Sequence, residues 1–488
     1  MLDLFFDIGA AHMSATVFEV LNPRTGTADF QFSAPSPSEL SDQIARLRLH
    51  QQGWAASDIA QRANALAQFA QLISNDQALL DALILDTGRI AIAKLEVAAV
   101  VSSIKRWSAD APALLASARA SGQAAIPGIR YQSFGVPFAL VGVISPWNFP
   151  LLLSLIDTIP ALLAGASVVV KPSEITPRFA LRLNELIAQC KELSGVLHYV
   201  TGAGATGAAL IELVDAVCFT GSVATGRNVL VACAKRMIPA FLELGGKDPL
   251  VILPGSEIAR ACDIALKSSV QSTGQACQSI ERVYVHESQF DAFVALLVQK
   301  AKDISLNYPD IANGDLGPLI FAGQAQRIQL QLDDALAHGA KILCGGEIER
   351  HGGGYWLRPT VLINVRHEML MMQEETFGPV IPVMAYSTLA QALSYANDSE
   401  FGLSAAVVGP DLQQALAFAE QLEVGAISIN DAALTSFVFE AEKQAFKSSG
   451  LGASRMGAAG LTRFLRRKSL LIQSGAPLAF IGDRKAQI

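Results

Sequence analysis

Cysteine is sparse in this chain, and its six cysteines are never closely spaced. No two of them form a CxxC pair, which argues against a zinc ribbon and against a disulfide framework. The sequence also has no HExxH segment and no histidine-rich cluster, so we expect no metal site. A reducing compartment fits this cysteine usage best, and we therefore predict a cytoplasmic protein.

Charge is scarce as well, since charged residues make up 17% of the chain and hydrophobic residues 51%. Such a chain must bury much of its surface, either inside large α/β cores or between subunits. Its 37 lysines and arginines are outnumbered by 44 aspartates and glutamates, for a formal net charge of −7. Because no basic stripe is present to neutralise phosphates, nucleic acid is not an expected partner.

Two kinds of hydrophobic segment are missing. The first twenty residues contain no lysine or arginine, so the cationic start of an export signal is absent. Met13 opens a segment typical of a protein start, which makes residues 1–12 either an extension or an alternative start. The best candidate for a membrane span, residues 151–170, is interrupted by Asp157, a proline and a glycine. We expect a buried helix running into a buried strand there, and no membrane span.

The order of the predicted elements indicates an α/β fold. Residues 38–118 have the pattern of helices, and residues 119–137 that of a hairpin. From residue 138, and again after residue 248, apolar strands alternate with helices. Such strands need crossover connections, so we predict two doubly wound parallel-sheet domains with helices on both faces. The apolar run 469–473 is expected to pair with the hairpin or with a partner subunit.

Three junctions at strand ends are candidates for binding a nucleotide. Residues 202–207 match GxGxxG, but the acidic residue expected about 20 positions later is missing, so a plain tight turn is an equal alternative. Gly221 and Ser222 open a helix, where free N–H groups suit a phosphate unless Ser222 only caps the helix. Residues 171–174 follow a buried strand and either hold ribose hydroxyls or form a solvated loop.

Two side chains are candidates for catalysis. Cys277 has small neighbours that leave its sulfur approachable, although a cysteine chosen at random is more often buried and inert. Glu243 lies in an apolar run before two glycines, so its carboxylate is either paired or tuned by burial, as a general base is. No GxSxG segment and no Walker loop competes with them.

Together these segments resemble the aldehyde dehydrogenase superfamily. The resemblance covers nearly the whole chain, and seven motifs follow the order and spacing of that family. They are 146–150 (PWNFP), 171–174 (KPSE), 219–222 (FTGS), 243–247 (ELGGK), 274–277 (GQAC), 374–380 (EETFGPV) and 425–430 (GAISIN). Any one of them could arise by chance, whereas seven in order do not.

The resemblance implies a non-acylating enzyme that oxidises an aldehyde to a carboxylate. Cys277 would attack the aldehyde carbon as a thiolate and form a thiohemiacetal. The side-chain amide of Asn148 and the backbone N–H of Cys277 would stabilise the oxyanion. After hydride transfer, Glu243 would activate the water that hydrolyses the thioester.

The resemblance also implies NAD as the cofactor. Lys171 and Glu174 would hold the adenosine ribose, and Glu174 favours NAD because a carboxylate repels the 2′-phosphate of NADP. Some members with a glutamate at this position tolerate NADP. Gly204 would lie near the adenine, Gly221 and Ser222 at the pyrophosphate, and Glu375 and Phe377 at the nicotinamide ribose and ring. The other residues implied at the cofactor are Trp147, Ser173, Phe219 and Leu244.

The same resemblance implies how the chain divides. Residues 1–118 and 138–245 would form the NAD-binding domain, of an atypical Rossmann type, and residues 246–454 the catalytic domain. Residues 119–137 and 455–488 would form a small β element through which members of the family oligomerise. We therefore expect a homodimer or a homotetramer.

Two departures from the family pattern bear on the chemistry. Asp157 stands where many members carry a lysine near the proton path, so the route by which protons leave Glu243 is not given by the resemblance. Residues 442–445 (EKQA) replace the usual Pro-Phe-Gly-Gly beside the substrate entrance. The side chains that the family would place around the aldehyde tunnel are apolar, namely Phe149, Leu152, Leu153, Ile156, Phe437 and Phe439. We therefore predict an apolar aldehyde as the substrate.

Two alternatives stay open. A CoA-acylating enzyme would transfer the acyl group to a thiol, but that chemistry needs no water-activating base such as Glu243. A catalytically silent protein on the same fold is disfavoured because Cys277, Glu243 and Asn148 are all present.

Overall fold

The structure, a computed structural model, describes residues 17–478, so the two alternatives for residues 1–12 lie outside the described part. The described chain begins with a hairpin and continues with four helices. These elements are β1 (Val17–Leu21), β2 (Ala28–Ser33), α1 (Pro37–Ala56), α2 (Ile59–Asn75), α3 (Gln77–Thr87) and α4 (Ile90–Ser117). An antiparallel pair of strands follows, β3 (Ala120–Gln123) and β4 (Ile129–Pro137).

The first parallel sheet is built from the next hundred residues. Its elements are β5 (Leu140–Ile144), α5 (Pro150–Leu155), α6 (Thr158–Ala164), β6 (Ser167–Lys171), α7 (Arg178–Gln189), β7 (Leu197–Tyr199), α8 (Gly204–Ile211), β8 (Ala216–Thr220), α9 (Val223–Arg236) and β9 (Ala240–Glu243). The five strands lie parallel in the order β9-β8-β5-β6-β7.

The second sheet has seven strands, in the order β12-β15-β16-β11-β10-β18-β19. All of its neighbouring strands are parallel except β12 and β15. This part of the chain comprises β10 (Asp248–Ile252), α10 (Ile258–Val270), β11 (Ile280–His286), α11 (Phe290–Lys302), α12 (Ala322–Ala337), β12 (Lys341–Cys344), β13 (Ile348–His351), β14 (Gly354–Leu357), β15 (Thr360–Ile363), α13 (Leu370–Gln373), β16 (Val380–Tyr386), α14 (Leu389–Asn397), β17 (Phe401–Gly402), β18 (Ser404–Val408), α15 (Leu412–Ala419) and β19 (Ala426–Ile429).

The last segment of the described chain returns to the first sheet. It contains β20 (Phe446–Lys447), β21 (Gly450–Leu451), α16 (Ala459–Thr462) and β22 (Leu465–Gln473). β21 pairs antiparallel with β9, and β22 pairs antiparallel with β4 along its full length. The apolar run 469–473 therefore pairs with the predicted hairpin of the same chain, and β22 is left as the outer strand of a three-stranded sheet.

The parallel strands are nearly continuous apolar runs because helices cover both of their faces. Every residue of β6 (SVVVK) and of β8 (AVCFT) is buried. The helices are amphipathic instead, so that α7 turns Phe179, Leu183 and Ile187 toward the core. The predicted fold class, two parallel-sheet α/β units with a small β element, is confirmed.

One expectation about a single element needs correction. The helix expected over 151–165 is broken into α5 and α6 at Asp157, whose carboxylate is held by arginines from the last segment. Pro160 has no N–H with which to continue the first helix, which favours the break. Sequence analysis missed β9, the β13–β16 strands and α14, because these elements are short or, in β16, interrupted by a proline. Within residues 17–478 no helix is both long and apolar enough to cross a bilayer.

A buried carboxylate on α4 fixes the start of α5. Glu96 is fully buried, and one of its oxygens accepts the backbone N–H groups of Leu151 and Leu152, each at 3.0 Å. It thereby satisfies two of the four N–H groups that the first turn of a helix leaves free. Burial raises the pKa of Glu96 to about 7, against the opposing effects of these N–H groups and of Arg89.

We predict that Glu96→Gln changes the pH dependence of stability. A raised carboxyl pKa means that the folded state holds the proton more tightly than the unfolded chain, so stability is lost as the pH rises from about 4.5 through about 7. The loss is at most roughly 3 kcal/mol. Glutamine keeps the accepting oxygen and cannot ionise. The melting temperature of the variant minus that of wild type should therefore be larger at pH 8 than at pH 5. Calorimetry at both pH values checks this, and a difference that is the same at both pH values would contradict it.

Candidate active site

Cys277 follows a turn in which the backbone is left-handed. Ser272, Thr273 and Gly274 have φ angles of +57°, +60° and +68°. A Cβ added to Gly274 would lie 2.3 Å from the carbonyl group of Gly378, so only glycine fits there. For the two non-glycine residues this backbone region costs of order 1–3 kcal/mol each, which surrounding contacts must offset.

Buried hydrogen bonds hold this turn in place. Arg89 donates to the carbonyl oxygen of Ser272 at 3.2 Å, and the Thr273 hydroxyl donates to a carbonyl in segment 317–320 at 3.1 Å. The side chain of Gln275 accepts a backbone N–H of the same segment at 2.9 Å. These four groups are buried. The turn is therefore fixed by the surrounding structure before any substrate arrives.

Asn148 lies in the loop after β5 and faces the cysteine turn. It is 3% exposed, and its side-chain amide donates to the carbonyl oxygen of Gln275 at 3.0 Å. Its own carbonyl oxygen accepts a hydrogen bond from the guanidinium of Arg89. One amide hydrogen of Asn148 stays available beside Cys277, as an oxyanion donor requires.

The thiol of Cys277 sits in a negatively charged surrounding. Burial, and then the carboxylates of Glu375 and Glu243, raise the pKa of the Cys277 thiol to about 12, while Arg455 acts in the opposite direction. The thiol is consequently protonated near neutral pH. A base or a conformational change must accompany its conversion to the nucleophilic thiolate.

Glu243 ends β9 and approaches the cysteine through the glycines that follow it. It pairs with Thr220 of β8 in the sheet, and its side chain is 22% exposed. A Cβ added to Gly246 would lie 2.8 Å from the carbonyl oxygen of Cys277, so this glycine lets the two segments touch. The carboxylate also lies 3.7 Å from the guanidinium of Arg455.

One cleft of about 100 Å³ joins two of the three predicted catalytic residues with some of the predicted cofactor residues, and Glu243 is not in its lining. Its lining includes Trp147, Asn148, Gly221, Ser222, Leu244, Cys277, Glu375 and Phe377. Ser222 is also the N-cap of α9 and accepts the N–H of Thr225 at 3.3 Å, so the capping role weighed for it is present. The other N–H groups at this helix end face a cleft where a pyrophosphate could accept them. The residues present therefore fit a dinucleotide.

The loop that carries Glu375 and Phe377 is held by a buried ion pair. Lys247 lies 2.7 Å from Glu281, and both are buried. The carboxylate of Glu281 accepts the backbone N–H of Thr376 and that of Phe377, each at 2.7 Å. This fixes Phe377 in a left-handed conformation, with its ring edge-on to Trp147 at 5.3 Å.

The remaining predicted cofactor residues lie outside this cleft. Lys171 and Glu174 form an ion pair of 3.0 Å at the end of β6, where Ser173 is also placed. Gly204 begins α8 and has open space where a side chain would be, and the Phe219 ring lies against Gly221. These positions stand at the carboxyl ends of neighbouring strands, where ligands of parallel sheets bind.

None of the six predicted tunnel residues except Leu153 lines the cleft. Leu152 packs against the core of the first sheet, Phe149 and Ile156 are half-buried, and Phe437 is 60% exposed. Phe439 is half-buried under the guanidinium of Arg106, 4.6 Å from its ring centre. The proposed tunnel is thus partly lined by a cation that the sequence did not reveal.

Sequence analysis missed the side chains that support the site. Arg89, Gln275 and Arg455 are buried beside it, and Lys443, in the unusual 442–445 segment, interacts electrostatically with Glu243 and Cys277. Of these residues only Gln275, which belongs to the GQAC motif, could have been singled out from the sequence. The others are ordinary cations in the sequence, and only tertiary contacts single them out.

A cleft lined by a thiol and by residues that suit a nucleotide, in a fold of two parallel α/β sheets, points to the class of nicotinamide-dependent dehydrogenases. The sequence model of the aldehyde dehydrogenase family matches residues 10–470, and the chain belongs to this family. The family, the enzyme class and the cofactor type predicted from the motifs are thereby confirmed.

Four similar proteins illustrate the range of the family. The structure of PutA from Anabaena variabilis, a provisionally assigned aldehyde dehydrogenase, is 49% identical, with a TM-score of 0.93 over 95% of this chain and 99% of that one. Betaine aldehyde dehydrogenase from Staphylococcus aureus, solved with NAD+, is 29% identical, with a TM-score of 0.88 over 95% of each chain. A provisionally assigned NADP(+)-dependent succinate-semialdehyde dehydrogenase of Mycolicibacterium smegmatis is 33% identical over 94% of this chain and 89% of its own. The 4,4'-diapolycopene aldehyde oxidase of a Methylomonas species is 34% identical over 92% and 84%.

We predict that Cys277 in the free protein reacts slowly with iodoacetamide at neutral pH. Because its thiol pKa is raised to about 12, the reaction rate should increase about tenfold for each pH unit between roughly pH 7 and pH 10. Mass spectrometry of the Cys277 peptide measures the rate, with Cys277→Ser as the control for labelling elsewhere. A rate that levels off below about pH 9 would contradict the prediction.

Proposed function

We propose that the protein oxidises apolar aldehydes to carboxylates and prefers NAD to NADP. The observation that carries the proposal is the placement of a thiol, a side-chain amide and a carboxylate around one cleft. Cys277 and Asn148 line that cleft, and Glu243 ends the strand beside it. Each of the three has the chemistry that one step of the reaction requires.

In the first step the Cys277 thiol gives up its proton to water, its sulfur bonds to the aldehyde carbon, and the carbonyl oxygen takes up the negative charge. The amide of Asn148 and the backbone N–H of Cys277 donate to that oxygen. NAD, when bound, supplies the acceptor for the hydride that leaves the same carbon. Cys277 is then left as a thioester of the product acid.

In the second step water replaces the sulfur. Glu243 takes a proton from water as the oxygen attacks the thioester carbon, and the carbon–sulfur bond breaks. The products are the carboxylate and the free thiol of Cys277. A CoA-acylating route would leave Glu243 without a role, so hydrolysis is the better account.

The preference for NAD rests on the end of β6. The carboxylate of Glu174 is 40% exposed and neutralises Lys171, which would otherwise attract a phosphate. A 2′-hydroxyl can donate to this carboxylate, whereas a 2′-phosphate is repelled.

The substrate preference rests on the aromatic and aliphatic side chains beyond Asn148, including Phe149, Ile156 and Phe439. A hydrophobic site discriminates weakly, by roughly 1–3 kcal/mol per methylene, so several aldehydes should react. A second candidate, an aldehyde with an anionic tail, is favoured by the ammonium group of Lys443 and the guanidinium of Arg106 at this end of the site.

We also propose that the protein is a cytoplasmic homodimer or homotetramer. The outer strand β22 supports an oligomer, because its free edge can pair with another strand. It exposes Leu470 and Leu471, which are 47% and 77% accessible in the single chain.

An assay of reduced nicotinamide tests the proposed activity. Purified protein with NAD should turn over medium-chain alkyl and aromatic aldehydes with a higher kcat/KM than semialdehydes of equal length. The kcat/KM with NADP should be lower than with NAD. Glu174→Gln should bring the two values closer, because the charge that repels the 2′-phosphate is gone. Cys277→Ala should abolish turnover without loss of NAD binding.

A different result of the assay would contradict each part of the proposed function. If semialdehydes react faster than apolar aldehydes, the substrate is an aldehyde with an anionic tail. In that case Lys443→Gln should remove the higher kcat/KM of the semialdehydes. Product that forms only when CoA is added would overturn the hydrolytic route. Activity that survives in Cys277→Ala would overturn the covalent mechanism.

We predict that Leu470→Asp together with Leu471→Asp produces a smaller oligomer. The two carboxylates would have to be desolvated at any interface formed by β22, which is costly for unpaired charges. Light scattering after size-exclusion chromatography gives the mass, and circular dichroism controls for folding. A double variant of unchanged mass would show that β22 is not the interface.

A further inference from the structure

Asp157 lies between two arginines in the interior of the first sheet unit. It is 1% exposed, and its carboxylate accepts hydrogen bonds from Arg455, at 3.0 Å, and from Arg463. Both arginines come from the last segment of the chain. The position where a lysine is usual in the family thus carries the opposite charge, and the chain supplies the cations from elsewhere.

Arg455 reaches from Asp157 to the catalytic base. Its Nη2 donates to Asp157 and also to the hydroxyl of Thr220 at 2.7 Å. Its Nε lies 3.7 Å from the Glu243 carboxylate, and this buried nitrogen has no hydrogen-bond partner among the described residues. A free donor therefore points at Glu243 from a guanidinium that is otherwise anchored.

The charges around this guanidinium come from several elements. Those that interact with Arg455 are Asp157 between α5 and α6, Glu243 at the end of β9, Cys218 in β8 and Cys277. Glu243 is also attracted by Lys443, which faces it from the 442–445 segment. Burial disfavours the charge of Arg455, but Asp157 and Glu243 outweigh it and raise the pKa of Arg455.

An arginine in this place does not act as a proton carrier. Its guanidinium stays protonated at any pH at which the protein works, unlike a lysine, which can give up its proton when buried. Its neighbour Asp157 is already satisfied by two guanidinium groups. A proton taken from water by Glu243 therefore has no acceptor on this side and must leave through the solvent-exposed side of the carboxylate.

We propose that Arg455 is a positioning residue for thioester hydrolysis: anchored by Asp157 and Thr220, it orients the Glu243 carboxylate. This inference rests on the proposed role of Glu243 as the base. It assigns to Asp157 the task of holding Arg455.

The test separates hydrolysis from the earlier steps. In wild type and in Arg455→Met, the first turnover is measured as a burst of reduced nicotinamide, and later turnovers as the steady-state rate. The burst amplitude counts folded, competent Cys277 sites, so dividing the steady-state rate by it corrects for any unfolded protein. We expect a retained burst and a steady-state rate per site lowered about tenfold or more.

The dependence on Glu243 is measured by a double variant. If Arg455 acts through Glu243, then Arg455→Met combined with Glu243→Gln should be no slower than Glu243→Gln alone. Arg455→Lys, which keeps the charge, should recover most of the rate. Arg455→Gln replaces the methionine variant if that one does not fold.

Arg463→Met is the matched control. It removes the other guanidinium from Asp157, yet Arg463 packs over Phe241 and Phe464 instead of facing Glu243. It should leave the rate per burst site unchanged. Equal effects of the two variants, or an additive loss in the double variant, would overturn the positioning role. Absence of any aldehyde-dependent formation of reduced nicotinamide in wild type would instead refute the proposed function itself.

Discussion

The buried guanidinium of Arg89 is the contact on which the catalytic geometry depends. It donates to the carbonyl oxygen of Asn148 in one loop and to that of Ser272 in the other, so it sets the distance between the oxyanion donor and the cysteine turn. Burial lowers its pKa to about 10, and Glu96 on the same helix supports its charge. Glu96 in turn binds the first turn of α5, which follows Asn148 directly. Two residues of one helix thus position both halves of the site.

The contacts of Arg89 also explain how the strained backbone of the cysteine turn is maintained. Left-handed conformations at Ser272 and Thr273 cost energy, and they persist only where neighbouring groups over-determine the backbone. Arg89 and Gln275 do so here. A turn held in this way loses little freedom when a substrate binds, because the ordering of Cys277 against Asn148 has already taken place during folding.

The sequence reveals the parts of this protein that act locally. Alternating strands and helices predict the two parallel sheets, and ungapped motifs such as GQAC place the thiol and the cofactor loops. Supporting contacts join residues far apart in the chain, such as Arg89 with Ser272 or Asp157 with Arg455. No local pattern marks these partners, since a buried arginine and an exposed one look alike in a sequence. The contact between Arg106 and Phe439 is hidden in the sequence for the same reason, because only the fold brings the two residues together.

Asp157 shows why a single departure from a family pattern is hard to interpret without its partners. Considered alone, an aspartate near the general base looks harmful, since a second carboxylate would resist ionisation of the first. The structure pairs it with two guanidinium groups, and one of them, Arg455, also lies 3.7 Å from Glu243, so a cation stands between the two carboxylates. A buried acid of this kind is tolerated while it keeps a cationic partner, because an unpaired charge in the interior is far more costly than a pair. Asp157 and Arg455 therefore form one functional unit, and the electrostatic environment of the base depends on the unit, not on either residue.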